Sequence, residues 1–311
     1  MLDDCSSHQT EMISIVILTK NEEQDLPSCL DSLGWSDDIH VLDSCSTDRT
    51  TEIATSRGAR VTKREFDNWS THQNWALANL PFRYPWVFYL DADERVTPEL
   101  AAIIQQAIRS PGDNVAFRIR RRDFWGKRWL KHVQASSYYL RLFRPEKMRY
   151  ERLVNPVSVA NGPVGELAGF LDHYPFSKGM THWLNRHNAY SSLEAEQILK
   201  NRIEGQRFSF YQALFGKTPN ERRFHQKELF YRLPARPLIK FLLLYIGKRG
   251  FLDGTPGFRY AVLQSIYEFM IVLKTKELAE RIAVTESIRS LDRTTQNPAL
   301  ENDYANSRTN D

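Results

Sequence analysis

The sequence predicts an α/β protein in which a sheet with helices on both faces precedes a mostly helical C-terminal region. Apolar runs of strand length alternate with amphipathic stretches over residues 13–110, in the order β-α-β-α-β-α-β-α. This alternation calls for a parallel sheet with right-handed crossovers. Several predicted strands end in carboxylates or other hydrogen-bonding side chains, which parallel strands bring to one edge of the sheet.

The first three predicted strands are short runs that are rich in β-branched residues. The run Ile13–Leu18 is followed by polar residues, and a helix with leucines on one face comes next. A second strand, Asp38–Asp43, ends on a carboxylate, and hydroxyl-bearing residues after it lead into a helix over 51–57. Gly58 ends that helix, and Ala59–Val61 forms the third strand.

The fourth predicted strand runs directly into two acids. Five apolar residues, Trp86–Leu90, precede Asp91-Ala-Asp93, and strand alternation should place both carboxylates on the same side. Two carboxylates so close repel each other unless a cation lies between them. A hard divalent ion that also carries phosphate oxygens fits this pattern, because Mg²⁺ takes one or two carboxylates together with phosphates.

A basic segment follows the predicted parallel unit. Between Arg118 and Arg152 there are twelve Lys and Arg residues but three acids, a balance that suits phosphates or anionic lipid headgroups. Phe117–Arg120 and Tyr138–Phe143 alternate apolar and polar residues, which predicts two further strands. Aromatic rings in the basic loop between them suit sugar rings and phosphorylated acceptors; these are Trp125 and Trp129.

Helical patterns dominate the rest of the chain, over 181–200 and 260–276. A shorter apolar run, Leu238–Ile246, is interrupted by Lys240 and falls far below the roughly 20 residues needed to span a bilayer. It is flanked by four cations and therefore predicts a helix lying in a membrane interface. The four cations are Arg232, Arg236, Lys248 and Arg249.

Several classes of protein are disfavoured. There is no apolar N-terminal segment of the secretory type, and three cysteines without metal-ligand spacing indicate free thiols in a reducing compartment. The first strand is not followed by G-x-G-x-x-G, and the chain lacks G-x-x-x-x-G-K-[ST], which argues against a dinucleotide fold of the usual type and a phosphate-cradling ATPase loop. A nucleotide held by carboxylates, hydroxyls and a metal fits better.

Four ordered motifs carry a resemblance. The segments I-S-I-V-I-L-T-K-N-E-E, V-L-D-S-C-S-T-D-R-T, Q-N-W-A-L and F-Y-L-D-A-D-E-R-V resemble the family 2 glycosyltransferases with the GT-A fold, over about residues 13–110. A looser similarity extends to about residue 275 through Trp183–Tyr190 and Gly250-Phe-Leu-Asp-Gly254. This extended pattern resembles the bacterial lipopolysaccharide-core β-glucosyltransferases.

The resemblance implies a donor site and a metal. It implies that Asp91 and Asp93 bind the ribose and diphosphate of a nucleotide-sugar through Mg²⁺ or Mn²⁺. The residues implied to line or orient the nucleotide-sugar pocket are Thr19, Asn21, Glu22, Asp43, Asp48, Gln73, Asn74 and Asp91.

The resemblance also implies a reaction. The expected enzyme moves a hexose, with glucose the first choice, from a UDP-sugar to a lipid-linked glycan or lipopolysaccharide-core acceptor, with inversion. It is expected in the cytoplasm as a peripheral protein on the anionic inner face of the cytoplasmic membrane, as part of cell-envelope biosynthesis, without a nucleic-acid partner.

The catalytic base is where the sequence departs from the family pattern. An inverting transferase needs a carboxylate to accept the acceptor hydroxyl proton. Similar sequences carry a His-Glu pair after the arginine-rich strand, but this chain reads Val154-Asn155-Pro156 there. Glu151 is the first choice and Asp172, beside His173, the alternative. The remaining candidates are Asp123 and Glu166.

The predicted organisation has four parts: a flexible N-terminus (1–11), a GT-A domain (12–175), a helical region (176–285) and a disordered tail (286–311). The GT-A domain divides into a nucleotide-sugar half (12–112) and an acceptor half (113–175). Two alternatives stay open at this point. One is a nucleotidyltransferase, which also uses clustered carboxylates, and the other is a non-catalytic module that binds polyanions or glycans through the basic segment.

Overall fold

The computed structural model describes residues 12–151, 157–203, 208–216 and 219–296, so the predicted flexible N-terminus lies outside it. These residues form two compact units. The first contains residues 12–183 and 248–257, and the second contains 184–247 and the described residues from 258 onward. The sequence-based prediction placed a boundary at 175, and the first unit continues to Trp183. Residues 248–257, however, return to the first unit, which the prediction assigned to the helical region.

The first half of the large sheet is parallel, as predicted. Its strands lie side by side in the order β3-β2-β1-β4. They are β1 (Ser14–Thr19), β2 (Asp38–Asp43), β3 (Arg60–Lys63) and β4 (Val87–Asp91). The helices that connect them or follow them are α1 (Leu26–Asp31), α2 (Thr50–Ser56), α3 (Trp69–Asn79) and α4 (Pro98–Arg109).

The second half of the sheet is mixed. Its order continues from β4 as β8-β6-β11-β5, with β6 and β11 parallel and the other pairs antiparallel. The strands are β5 (Glu94–Val96), β6 (Ala116–Trp125), β7 (Arg128–Trp129), β8 (Tyr138–Phe143) and β11 (Val164–His173). A separate hairpin pairs β9 (Met148–Glu151) with β10 (Val157–Ala160). The predicted α/β fold is confirmed.

The sheet is buried on both faces because alternate residues of its central strands enter different apolar clusters. Ile15 and Ile17 of β1 pack in a cluster with Phe88, whereas Val16 and Leu18 pack in the opposite one. Each such side chain contributes about 1.5–3 kcal/mol when it is fully buried. The strand order is therefore fixed by apolar packing, and the polar strand ends lie at its margin.

Two of the helices around the sheet, α3 and α4, begin at side-chain caps. The Asn68 side chain accepts a hydrogen bond from the Thr71 amide at the start of α3. The Thr97 hydroxyl accepts one from the Leu100 amide at the start of α4, where Pro98 occupies the first turn. These caps satisfy backbone donors that have no partner within the helix.

The second unit is helical, as predicted for the C-terminal region. Its elements are α5 (Gly179–Ile203), α6 (Phe210–Phe215), α7 (Pro219–Arg232), α8 (Arg236–Leu242), a π-helical turn (Leu243–Gly247) and α9 (Thr255–Gln296). The first residues of α5 and α9 belong to the first unit. Among the described helices, none combines the length and the apolar character required to cross a bilayer.

Two expectations about this region were wrong. Helix α9 continues to Gln296 and so includes residues 286–296 of the segment predicted as a disordered tail. Extending a formed helix costs little because every added residue gains a backbone hydrogen bond. Arg236 does not face a membrane, because it is 4% exposed and its Nε lies 2.9 Å from the Glu268 carboxylate.

Candidate active site at the carboxyl ends of the strands

The polar residues at the ends of β1, β2 and β4 lie side by side. Thr19 is in register with Asp43, and Leu18 is in register with Asp91. The parallel pairing therefore brings three strand ends to one edge of the sheet, which is where open α/β sheets bind ligands.

Asp43 holds the loop that follows it. Its side chain is completely buried, and it accepts hydrogen bonds from the hydroxyls of Thr19 and Ser46 and from the Ser46 amide at 2.7 Å. The carboxylate thus joins the ends of β1 and β2 and holds the loop that is predicted to line the nucleoside pocket.

Asn21 and Asp48 join the two neighbouring loops. Asn21 adopts a left-handed backbone (φ 55°), and its side-chain oxygen accepts a hydrogen bond from the Thr47 amide at 2.8 Å. Asp48 accepts from the amides of Glu23 and Thr50, at 3.1 and 3.0 Å. Both predicted pocket residues therefore hold the loops in place through their hydrogen-bonding atoms.

Glu22 lies in the same loop, and a cation lies against it. The Lys178 ammonium is 2.6 Å from its carboxylate and also donates to the Asn21 carbonyl at 2.8 Å. Burial raises the pKa of Glu22 to about 7 despite Lys178, and the Asp93 charge adds to the rise. Lys178 follows β11 in the sequence, so the structure brings a distant cation to the motif T-K-N-E-E.

Asp91 ends β4 inside a charged cluster. Its carboxylate accepts hydrogen bonds from the Tyr89 hydroxyl at 2.9 Å and from Arg141 at 2.7 Å. The same guanidinium donates to Glu94 at 2.6 Å, and Glu94 is completely buried. Burial would raise the pKa of Asp91, but Arg141 outweighs it and the pKa is lowered. Burial dominates at Glu94 and raises its pKa to about 7.

Asp93 lies in the turn between β4 and β5, so the predicted strand alternation from Asp91 does not apply to it. The strand ends at Asp91, and the Asp93 carbonyl accepts a hydrogen bond from the Tyr174 amide at 2.9 Å. The Asp93 carboxylate lies 3.2 Å from Nε2 of His173, at the end of β11. The turn therefore brings Asp93 to a histidine from the other half of the sheet.

His173 also contacts Asp123 of β6 through Nδ1. Burial lowers the pKa of His173, but the Asp93 and Asp123 carboxylates outweigh it and raise the pKa to about 9. The ring is therefore protonated at neutral pH and holds a positive charge between two carboxylates.

Gln73 and Asn74 occupy different positions around Tyr150. Asn74 exchanges two hydrogen bonds of 2.8 Å with the Tyr150 backbone and so fixes β9 to α3. Gln73 is 7% exposed, and its side-chain oxygen has no hydrogen-bond partner among the described residues. The Tyr150 ring packs beside Tyr89, with centroids 6.3 Å apart.

The candidate bases lie in contrasting surroundings. Glu151 is exposed at the end of β9, and its carboxylate accepts from Arg149 at 2.8 Å. Both oxygens of Asp172 accept from Arg122. The position of Asn155-Pro156, where the family pattern differs, lies outside the described residues.

The predicted acceptor aromatics pack against neighbours. The Trp125 and Phe176 ring centroids are 4.1 Å apart, and those of Trp129 and Phe170 are 5.5 Å apart. Arg122 lies over the Trp129 ring at 5.7 Å. Packing accounts for most of these contacts, although both tryptophans remain partly exposed.

Reasoning from the sequence missed three participants: Arg141, Glu94 and the pairing of His173 with Asp93. One signal for Arg141 was available, because it is a cation inside the alternating strand Tyr138–Phe143 at a position flanked by apolar residues. Glu94 follows the second acid directly. The pairing of Asp93 with His173 crosses 80 positions and carries no local signal.

The side chains here suit a divalent cation whose remaining coordination positions are filled by a bound ligand. Among the described side chains, no group of three or more His, Cys, Asp and Glu is arranged to hold a metal by itself. Asp93 and His173 do converge, and a metal bound by Nε2 would displace the proton that this nitrogen carries in the protonated ring. One carboxylate and one imidazole, with diphosphate oxygens, make a reasonable coordination set for Mg²⁺ or Mn²⁺.

Comparisons with known proteins agree with this geometry. Residues 14–163 match the glycosyl transferase family 2 model. The lipopolysaccharide core biosynthesis glycosyltransferase LpsC of Rhizobium meliloti (strain 1021) is 28% identical over 272 residues, which cover 84% of this chain and 91% of that protein. An uncharacterized glycosyltransferase of Rickettsia typhi is 24% identical over 281 residues, covering 86% and 87%.

Two solved structures are also similar to this chain. Glucosyl-3-phosphoglycerate synthase from Mycobacterium tuberculosis, in complex with Mn²⁺, UDP and glucosyl-3-phosphoglycerate, is 26% identical over 37% of this chain and 44% of that one, with a TM-score of 0.30. S. aureus TarS 1-349 in complex with UDP-GlcNAc is 13% identical, covers 81% and 90%, and has a TM-score of 0.40. With TM-scores this low, no geometry of these structures is carried over to this chain.

The sequence relatives and the family model point to one class of enzyme. They match the chain across the sheet whose strand ends form the site, and the match with LpsC extends over most of both chains. The chain therefore carries a glycosyl transferase family 2 domain over residues 14–163, and its activity is glycosyl transfer.

Proposed function

We propose that the enzyme transfers a hexose, with glucose the first choice, from a UDP-sugar to a glycan acceptor, with inversion. The observation that carries this proposal is the convergence of Thr19, Asp43 and Asp91 at one sheet edge, next to Asp93 and His173. The loops held by Asp43 form the nucleoside side of the site. The paired Asp93 and His173 form the diphosphate side.

A divalent metal, Mg²⁺ or Mn²⁺, is part of this proposal. Asp93 and His173 would hold it. Asp91 would contact the ribose or the metal through the carboxylate that now accepts a hydrogen bond from Arg141. When bound, the metal stabilises the negative charge on the leaving diphosphate as a Lewis acid. Lys178, beside Glu22, supplies a further positive charge on the same side of the site.

The catalytic base is assigned to Glu151, with Asp172 as the alternative. A base needs an oxygen that can reach the acceptor hydroxyl, within about 3 Å. Both oxygens of Asp172 are engaged by Arg122, whereas the exposed Glu151 has a single contact to Arg149 in the described part of the chain. Glu151 follows Tyr150, whose ring lies beside Tyr89 and hence near Asp91.

The acceptor class follows from the relatives and from the charge of the chain. LpsC of Rhizobium meliloti is a lipopolysaccharide core biosynthesis glycosyltransferase. A lipid-linked or lipopolysaccharide-core acceptor therefore fits best, and the protein would meet it at the anionic inner face of the cytoplasmic membrane. In the second unit, one face of α8 and the π-helical turn exposes Leu238, Leu242, Leu243 and Ile246.

A binding screen tests the donor. Thermal unfolding is measured with UDP-glucose, UDP-GlcNAc, GDP-mannose and the free nucleotides, each with and without Mn²⁺. Ligands that bind only the folded state raise the apparent stability in proportion to the logarithm of their concentration over the dissociation constant. A UDP-sugar should raise the melting temperature more with Mn²⁺ than without it. Equal shifts for GDP-mannose, or no dependence on Mn²⁺, would contradict the proposal.

A transfer assay tests the base. Glu151→Gln should lower turnover by roughly 10²–10⁴-fold with unchanged UDP-sugar binding. Asp172→Asn is the paired variant, and the roles exchange if that variant is inactive while Glu151→Gln is active.

A further inference from the structure

The sequence G-F-L-D-G at 250–254 has no role in the site described so far, although it lies in the first unit. Its residues form a 3₁₀ turn, Gly250–Asp253, that ends in Gly254 with φ of 70°. Gly257 lies so close to this turn that a Cβ there would be 2.1 Å from the Gly250 carbonyl oxygen. The glycines are therefore required for a compact turn that presents Asp253.

Asp253 is 2% exposed and is aimed at a loop from elsewhere in the sequence. One carboxylate oxygen accepts hydrogen bonds from the amides of His132 and Val133, at 2.9 and 2.8 Å. The other lies 2.7 Å from Nδ1 of His132. A buried carboxylate that binds successive amides in this way fixes the loop backbone, because breaking those contacts would leave a buried charge without partners.

The loop that Asp253 holds continues into the surroundings of the site. Gln134 follows Val133 directly, and its side-chain amide donates to one oxygen of Asp123. The Leu130 amide donates to the Asp123 carbonyl at 2.9 Å. On the other side, Nε of Arg121 lies 3.2 Å from the second oxygen of Asp123. The loop and β6 together determine where the Asp123 carboxylate points.

Asp123 in turn orients His173. Its Oδ1 contacts Nδ1 of the ring, which leaves Nε2 on the side of Asp93, 3.2 Å from the carboxylate. A histidine that binds a metal through one nitrogen usually donates its other N–H to a carboxylate, which fixes both the tautomer and the ring plane. Asp123 occupies that position, so Nε2 is the nitrogen left to serve as a ligand.

We propose that Asp253 is a positioning residue for the metal site, acting through the 130–134 loop and Gln134 on Asp123, and through Asp123 on His173. This inference rests on the proposed function, because it assumes that Asp93 and His173 hold the cation. It gives the G-F-L-D-G segment a role in the reaction: it sets the orientation of a ligand that is 80 positions away in the sequence.

Binding of Mn²⁺ in the presence of UDP tests this inference without measuring turnover. Free Mn²⁺ is followed by electron paramagnetic resonance in the intact protein. Asp123→Ala should weaken Mn²⁺ by about 10–100-fold, the range for partners of metal-bound histidines. Asp253→Ala and Gln134→Ala should each weaken it by about 10-fold, the lower end of that range. Asp253→Asn, which keeps an acceptor oxygen for the loop amides, should recover part of the loss.

A double-variant comparison separates positioning from general loss of stability. If Asp253 acts through Gln134, the two alanine substitutions should not be additive, and the double variant should bind Mn²⁺ about as well as either single one. Asp38→Asn is the matched control, because Asp38 is also buried and accepts from a loop amide, that of Arg83 at 2.8 Å, at the far end of β2. It should lower the melting temperature and leave Mn²⁺ affinity unchanged.

The outcomes distinguish this inference from the proposed function. No Mn²⁺ binding by the unmodified chain would overturn both. Normal Mn²⁺ binding by the unmodified chain and by folded Asp253→Ala and Gln134→Ala would overturn the positioning role alone. If Asp253→Ala fails to fold, Gln134→Ala provides the test, since that change removes only a partly exposed side chain. Unchanged Mn²⁺ affinity in Gln134→Ala would then overturn the proposal.

Discussion

At the scale of single residues, the site contains several charged side chains. Each would cost free energy if it were buried alone, and neighbours of opposite charge offset that cost. Arg141 lies between the partly exposed Asp91 and the buried Glu94, and the three form a network with the Tyr89 hydroxyl. A buried charge is tolerated only when partners replace the water that it has lost. The network therefore ties the stability of the sheet to the composition of the site.

The first prediction concerns Asp93. Asp93→Ala should abolish transfer and the Mn²⁺ dependence of UDP binding, because it removes one of the two protein ligands proposed for the cation. The fold should survive, since Asp93 lies in a turn and not in the core. Activity assays and circular dichroism check this. Near-normal transfer by the variant would exclude Asp93 as a ligand.

The second prediction concerns Arg141. Arg141→Met should lower the free energy of unfolding by about 3–5 kcal/mol at pH 8, because the completely buried Glu94 loses its nearest cation, while Arg121 remains at 3.8 Å. The pKa of Glu94, already raised to about 7 by burial, should rise further without Arg141. An acid whose pKa is higher in the folded state stabilises the fold when protonated, so the variant should lose stability as pH rises from 6 to 8.

Urea unfolding at several pH values measures this effect. The double variant Arg141→Met with Glu94→Gln is the control, since it removes both charges. It should recover much of the lost stability and the pH dependence should flatten. A variant as stable as the unmodified chain at pH 8 would show that the network carries little free energy.

At the scale of elements, strand β11 delivers His173 to the site through an irregularity. Its register with β6 shifts between Leu167 and Phe170, and after the shift Asp172 and His173 lie opposite Arg122 and Asp123. Extra residues in one strand bend it and redirect the side chains that follow. The shift therefore determines which residues of β11 reach Asp93.

The third prediction concerns Gly169, within this irregular part of β11. A Cβ there would lie 2.7 Å from Leu100 Cδ1 and 3.3 Å from Ile103 Cδ1, both on α4. Gly169→Ala should therefore destabilise the protein by about 1–3 kcal/mol, the cost of overpacking a core.

Gly34→Ala is the matched control, because its Cβ would meet no atom within 4 Å. This change should be neutral or slightly stabilising, by about 0.4–1 kcal/mol at most. Denaturant unfolding compares the two variants. Equal stabilities would mean that α4 can move away from β11 at no cost.

At the scale of the whole molecule, two units carry different surfaces. The first presents the strand ends that belong to the transferase family. The second exposes apolar side chains along α9 as well as α8, among them Phe258, Ile266, Phe269 and Leu273. Exposed apolar residues next to cations favour an anionic lipid surface, to which each nearby cation contributes about 1 kcal/mol.

The fourth prediction concerns membrane binding. The protein should bind anionic vesicles at low salt and leave them at high salt, because exposed charges are screened. Replacing Arg232, Lys248 and Arg249 by Gln should reduce this binding, since all three are exposed. Vesicle sedimentation at two salt concentrations measures it.

A control variant replaces Arg49, Arg109 and Lys147, which are also exposed but lie far in the sequence from the apolar run Leu238–Ile246. It should bind like the unmodified chain. Equal binding to neutral and anionic vesicles, or equal loss in both variants, would contradict a localised membrane surface.

The sequence by itself determined the parallel half of the sheet and the sheet edge at which we propose the donor site. Apolar periodicity and polar strand ends are local signals, and β1, β2 and β4 lie where they indicated. The family motifs carried the same information, because they are the loops at those strand ends. The pairing of Glu94 with Arg141 lacked such a signal, since a charge becomes part of a network only when its partners are placed around it.

The tertiary structure alone decided what the predicted residues contact. Asp43 was expected to line the nucleoside pocket, and the structure shows that its carboxylate accepts hydrogen bonds from the Thr19 and Ser46 hydroxyls. His173 meets Asp93, and Asp253 meets the 130–134 loop, only because β11 and the 3₁₀ turn are packed against the sheet. Contacts between residues far apart in the chain depend on register and packing, which no local pattern of amino acids encodes.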